Sequence, residues 1–255
     1  MVGYATANIM EEQLGPYANP AQHAEWQQGR NRGVVFSGAI YNKTMHVMEG
    51  LQIATSLQIA LAAGVAPKKA RAAIKPLFEQ AYLDRLTCQD APPIYSPGDE
   101  GRRYLRIPKK EWSVPAAFRA VTANHLCLTL GVDRWELDPG LGLDARMEFG
   151  GKTYSIVCPR MGELEEERCV TVVSLLPEND RIIIVAVSRN QAVNLASLLA
   201  AGSAGRPLRL TWDTELHQFY RLKGKNLVPA ENFSQKTLDR EQDICYSENA
   251  VGNNG

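Results

Sequence analysis

A chain of 255 residues, 45% of them hydrophobic and 22% charged, carries enough apolar material for one large core or two modest ones. Twenty-eight Lys and Arg offset twenty-eight Asp and Glu, and a net charge of zero argues against indiscriminate binding of nucleic acid by the whole molecule. No apolar run approaches the length that crosses a bilayer, so no membrane partner is expected.

Residues 1–15, MVGYATANIMEEQLG, lack the basic start and apolar stretch of a secretory signal, and a cytoplasmic location is expected. Cys88, Cys127, Cys158, Cys169 and Cys245 form no C-x-x-C pair, and His23, His46, His125 and His217 show neither a His-x-His nor a His-Glu-x-x-His spacing. The cysteines read as small buried hydrophobes, and no metal site is expected. With no Gly-x-Ser-x-Gly, P-loop or Gly-x-Gly-x-x-Gly, no cofactor is expected either.

Residues 1–42 are rich in Gln, Asn, Ala and Gly and predict an arm that packs on a neighbour or stays partly mobile. Within it Gln22, His23 and Trp26 suggest a helix, and Gly33-Val34-Val35-Phe36 a short strand. Over residues 43–54 apolar side chains return at Met45, Met48, Leu51 and Ile53 or Ala54, which predicts a first helix with methionine as core filler.

Residues 55–86 read as two helices joined by a tight turn. Thr55 or Ser56 caps the first, Leu57, Ile59, Ala60 and Leu61 give it an apolar side, and Gly64 follows its last turn. Pro67 suits the first position of the second helix. There Ala70, Ala73, Ile74, Leu77, Phe78 and Ala81 make one face, and Lys68, Lys69, Arg71 and Lys75 lie off it. Pro76 is expected to kink or shorten that helix, because it removes the bond to the Ala72 carbonyl. A helix-turn-helix needs such a docking face and such a cationic start. Any antiparallel helix pair with a basic solvated face shows the same periodicity, which is the competing explanation.

Tyr82 to Cys88 alternates as a strand, 90–93 is turn-rich, and Pro93-Ile94-Tyr95-Ser96 returns as a second strand. Tyr82-Leu83-Asp84-Arg85, followed by Tyr95-Ser96-Pro97-Gly98-Asp99-Glu100-Gly101 and then Arg102, Arg103 and Tyr104, resembles the winged-helix family. Ser96-Pro97 departs from that family's usual Leu-Thr and leaves the length of the second wing strand open. From Lys68 to Lys110 ten Lys or Arg face five Asp or Glu, so this segment is +5 and the rest −5, as a DNA-contacting module on an acidic partner domain would be. Arg85, Arg102, Arg103 and Arg106 join the candidate contacts, the last three beside Lys109, Lys110 and Trp112.

Beyond residue 112, Pro115 under a Ser113 cap opens a helix carried by Ala117, Val121, His125, Leu128 and Leu130. Residues 143–149 and 153–158 alternate around Gly150-Gly151 and predict a hairpin. The charged stretch 163–168 reads as a solvated helix or loop, residues 181–187 as a strand covered on both sides, 188–201 as a helix, and 208–212 as a last, parallel strand.

This order, with an Asp-Ala hairpin and a short strand ending Thr-x-Asp, looks like the replication-relaxation or MobC-like proteins of plasmids and conjugative elements. Their second domain is similar to the restriction-endonuclease fold with its PD-(D/E)xK pattern. The resemblance, over residues 43–216, implies an α/β (α+β) chain in four parts: an arm to 42, a winged helix at 43–112, a degenerate nuclease-like domain at 113–230, and a polar tail at 231–255. It implies a non-catalytic accessory protein that binds duplex DNA, with a relaxase or other mobilisation protein, or a second copy, as further partner. The nuclease pattern needs an acid on the first hairpin strand and an acid-x-Lys on the second, to hold Mg²⁺ and steady the charge near the attacking water. Asp144 fills the first position, but 154–158 offers neither acid nor lysine, so Asp144 is expected as a turn or cap residue. Two alternatives stay open. One is a divergent Mg²⁺-dependent nuclease on Asp144, with Glu148 or Glu163 restoring the metal site, and the other is a winged-helix protein-interaction module or transcriptional regulator.

Overall fold

The computed structural model describes residues 17–19, 23–30, 38–89, 91–200 and 206–230. Within these the chain is mixed α/β, with seven helices and two sheets. The expected strand at 33–36 and the tail at 231–255 lie outside the described residues.

The arm contributes a strand where a helix was expected. Residues of β1 (Ala24–Gln27) pair antiparallel with a later strand, Trp26 opposite Leu86 and Gln27 opposite Arg85. Four residues that draw their hydrogen bonds from a distant neighbour carry no periodicity of their own, so the strand is invisible locally.

The first helix, α1 (Ala39–Leu51), begins and ends earlier than expected and buries Met45, Met48 and Leu51. After it β2 (Ala54–Thr55) leaves the helical path, and Thr55 caps α2 (Ser56–Ala62) in a reciprocal box with Gln58, both bonds 3.2 Å long. Gly64, at φ +59°, supplies the left-handed residue that lets the amides of Gly64 and Val65 close back on Leu61 and Ala60. Then α3 (Pro67–Glu79) starts on its proline and buries Ala70, Ala73, Ile74 and Leu77. Pro76 stays inside α3, three residues before its end, and the Ala72 whose carbonyl it frees is exposed to solvent. Ala81 is not part of the helical face: it sits past the end at φ +62°, with the Tyr82 amide returning to the Leu77 carbonyl at 2.9 Å.

Next come β3 (Leu83–Cys88), β4 (Ala91–Pro97) and α4 (Asp99–Leu105). The small sheet has the order β1-β3-β4-β2. Its last hairpin strand runs seven residues through Ser96-Pro97, which answers the length left open by that departure. Gly101 is required by close approach, since a Cβ there would lie 2.0 Å from the Tyr82 carbonyl oxygen.

The large sheet follows α5 (Val114–Thr129), capped by Ser113. Its strands are β5 (Trp135–Leu137), β6 (Ala145–Phe149) and β7 (Lys152–Val157), then β8 (Arg181–Ala186), β9 (Leu208–Trp212), β10 (Tyr220–Lys223) and β11 (Asn226–Pro229), in the order β11-β10-β9-β8-β7-β6-β5. The 145–157 hairpin is antiparallel, and β7, β8 and β9 run parallel through α6 (Glu163–Leu175) and α7 (Arg189–Leu199). Residues 208–212 are therefore not the last strand, since an antiparallel hairpin adds two more.

The two sheets meet on α5. Phe118, Val121 and Leu126 share one core with Ile53, Leu86 and Ile94 of the small sheet side and with Met147, Ile156 and Ile183 of the large sheet. The opposite face of the large sheet is covered by α6 and α7 through Val172, Leu195 and Leu199. A helix with no solvent face must satisfy its polar groups internally. Asn124 donates to the carbonyls of Leu51 and Ile53 and accepts from Trp135 Nε1, and Gln58 donates to the Val121 carbonyl at 2.8 Å. Tyr17 adds a further tie, with its hydroxyl 2.6 Å from the Pro92 carbonyl and its ring edge-on to Phe118.

Replacing Ala81 by Gly relieves a left-handed non-glycine residue and is expected to stabilise the fold by about 1 kcal/mol in urea unfolding. Gly101→Ala should cost about 2 kcal/mol. Equal stability of the two variants would contradict the turn geometry. His125 is 2% exposed with Nε2 unpartnered among the described residues, and burial pushes its pKa down to about 3. The folded chain thus excludes a proton that the unfolded chain takes up below 6.5. Stability from this group is complete above that pH and is lost as pH falls toward 3, by about 2 kcal/mol at pH 5. His125→Leu should flatten this part of the pH–stability curve, and an unchanged acid slope would contradict it.

Candidate nucleic-acid interface

The buried stripe of α3 forces its other side outward, and Lys68, Lys69, Arg71 and Lys75 are all exposed there. None of the four forms an ion pair with a described residue. The first turn of α3 holds no acid, and Ala66 caps it without a side-chain bond. Two lysines thus stand at the positive end of the helix dipole, an arrangement that weakens an isolated helix by some tenths of a kcal/mol. An anion at this end would meet the cations and the dipole at once.

The other expected contacts divide. Arg85 lies under the end of α3, its guanidinium 4.4 Å from the Phe78 ring centroid and bonded to Gln27 Oε1, with Nε buried and unpartnered among the described residues. It braces the helix on β3. Arg102 turns inward at 12% exposure, donates to the Pro97 carbonyl at 2.7 Å, contacts Asp99 and lies 3.8 Å from Asp84. Burial raises the Asp84 pKa against the pull of the Gly29 amide and of Arg102. Arg102 thus buckles α4 to the hairpin and is not presented to a ligand. Arg103 is 74% exposed and paired to Glu100 at 2.7 Å, and Arg106 is exposed at the left-handed end of α4. Lys109 and Lys110 are engaged by Glu111 and Asp138, with Lys110 also over the Trp112 ring.

In the second half Asp144 is neither a turn nor a cap residue. It is 7% exposed and accepts from Arg119 Nε at 2.9 Å, Arg168 Nη2 at 2.9 Å and the Cys158 amide at 2.7 Å. Glu165 faces the same two arginines, so the charged stretch 163–168 is the start of a docked helix with two of its charges internal. Glu148 is exposed on β6 and Glu163 on α6, and neither joins Asp144. Burial, and then the charge of Asp144, raises the Cys158 thiol pKa well above its usual range, which keeps it protonated and poor as a metal ligand or nucleophile. Arg160, fully buried, pairs with Asp213 at 2.8 Å and donates to the Val185 carbonyl. Among the described residues no three His, Cys, Asp or Glu side chains converge on a cation position.

Sequence reasoning missed Arg119, Arg160, Glu165, Arg168 and Asp213. Two carried a signal: Arg119 is the one Lys or Arg in a mostly small and apolar helix, and Asp213 closes the Thr-x-Asp strand end that the sequence shows but gives no role.

Compared with protein-family models, characterised proteins and solved structures, the chain matches none. No helix of the described residues is long and apolar enough to cross a membrane.

Proposed function

We propose that this is a duplex-DNA-binding accessory protein of a plasmid or conjugative element, acting through a winged helix and without nuclease activity. The observation that carries the proposal is the exposed cationic face of α3, which forms no ion pair with a described residue and sets Lys68 and Lys69 against the helix dipole. Around it the order helix, short strand, two helices, hairpin, with β2 beside β4, is similar to the winged-helix arrangement. Lys68, Lys69, Arg71 and Lys75 would enter the major groove, with Arg103 and Arg106 on flanking phosphates.

Loss of cutting chemistry is supported by the surroundings of Asp144. The residue whose amide meets Asp144 is Cys158, just past the end of β7, and two positions on stands Arg160. Where an acid-x-Lys would be needed the chain has Cys-Pro-Arg, and guanidinium groups border the carboxylate. Mg²⁺ held by several oxygen ligands does not fit this donor set. For a protein partner, a relaxase or a second copy, the exposed Leu164 and Leu175 of α6 and Val193 and Leu198 of α7 supply apolar contact surface.

Changing Lys68, Arg71 and Lys75 together to Ala should weaken DNA binding in a mobility-shift assay at least tenfold. It should also lower the slope of log affinity against log salt by about one for every phosphate that the variant no longer neutralises. The fold, followed by circular dichroism, should be unchanged. Wild-type affinity and slope in the triple variant would refute this assignment of the DNA surface.

A further inference from the structure

A cleft of about 130 Å³ opens between the end of α1, the end of β4 and residues 107–112 of the connection from α4 to α5. An apolar cavity of about 150 Å³ holds benzene, so this cleft has room for one six-membered ring. Pro97, Ile107, Pro108 and Trp112 give it apolar walls. Its charged groups are answered from within the chain: Lys110 by Asp138 at 3.2 Å and by the Trp112 ring, Arg102 by Asp99, and Glu49, half exposed at the rim, by His46 at 3.6 Å. The polar groups left over are neutral. Ser96 is 6% exposed, and its hydroxyl has no hydrogen-bond partner among the described residues. Alternation along β4 turns Ser96 to the same face as Ile94, toward the core on which Trp112 packs, and this is the side of the cleft. Gln52 accepts from Lys110 Nζ at 3.5 Å on Oε1, and its Nε2 donates to no described residue.

Gln52 also stands where glutamine is disfavoured. It ends α1 at φ +55°, a conformation that glycine adopts freely and other residues adopt under strain. Strain kept at a residue whose side chain lines a cleft points to a use for that side chain. A carboxamide pairs edge to edge with a lactam, N–H against C=O and C=O against N–H, and a hydroxyl beside it meets a further ring carbonyl. We propose that the cleft binds a lactam-bearing pyrimidine base, thymine or uracil, free or carried by a single strand of DNA. Gln52 reads the lactam edge, Ser96 bonds the ring beside it, and Pro97, Ile107 and Trp112 enclose its faces. No residue of α3 lines the cleft, so this inference goes beyond the DNA-binding reading and either can fail alone.

Thymine is titrated calorimetrically into wild type, Ser96→Ala and Gln52→Gly, with 3-methylthymine and benzoate as comparison ligands. Wild type should bind one thymine per chain with Kd below about 1 mM, and its melting temperature should rise with thymine present. Both variants should bind thymine about tenfold more weakly or worse, and wild type should lose as much with 3-methylthymine, which has no N–H at its lactam edge. Gln52→Gly, relieved of strain, should melt no lower than wild type without ligand, which separates lost binding from lost folding. Absence of thymine binding by wild type, benzoate bound as tightly as thymine, or wild-type affinity in Gln52→Gly would overturn the proposal. If Ser96→Ala does not fold, Gln52→Gly decides. Oligothymidylate and an abasic strand of equal length then distinguish the sources. Tighter binding of oligothymidylate, lost in Gln52→Gly, assigns the base to a DNA strand, and equal binding of the two strands, with thymine still bound, assigns the free base.

Discussion

Burial of α5 on every side is the constraint from which the rest follows. A helix with Ala117, Phe118 and the whole run from Ala120 to Cys127 out of solvent needs a neighbour on each face, and the chain provides two sheets to meet this need. The polar residues that such a helix carries become cross-ties. Asn124 joins α5 to the backbone around Leu51 and Ile53, and Gln58 of α2 joins the Val121 carbonyl of α5, so the small helical unit is fixed in orientation as well as position. Tyr17 wedged between Phe118 and Pro92 closes the same seam from the arm.

Charge then sorts by location. Around the large sheet and along α4, acids and bases meet at short range: Arg160 with Asp213, Arg119 and Arg168 with Asp144 and Glu165, Arg102 with Asp84. Burial demands this, since an isolated charge in the interior costs several kcal/mol. On α3 the opposite holds, with cations gathered, exposed and without acids in the first turn. Such an arrangement does not serve the folding of the chain, and under the proposed function a polyanion would complement it.

Elements with local signals were legible in the sequence. Thr55, Gly64 and Pro67 mark the ends of α2 and α3 by the backbone each permits, Gly150-Gly151 marks a hairpin, and the β-branched run at 182–185 marks a doubly covered strand. What escaped was set by tertiary contact. The strand at 24–27 exists only because Leu86 and Arg85 offer it an edge, and Ala81 leaves the helix because the Tyr82 amide closes on Leu77. The charge ring joins residues separated by 24, 25 and 46 positions, drawn from two helices and the residue before β6, and no short-range pattern announces it. Of the candidate contacts, residue type and period placed those on α3, whereas Arg85 and Arg102 were claimed by aromatic and acidic neighbours that only folding brings near.

Amide hydrogen exchange with and without a DNA duplex bears most directly on the claim that a rigid body presents α3 to the polyanion. Slowed exchange centred on residues 67–79 and the adjoining hairpin, with residues 158–168 unaffected, is what the account predicts. Protection centred on the strand ends around Asp144 and Glu165, with α3 unchanged, would contradict it.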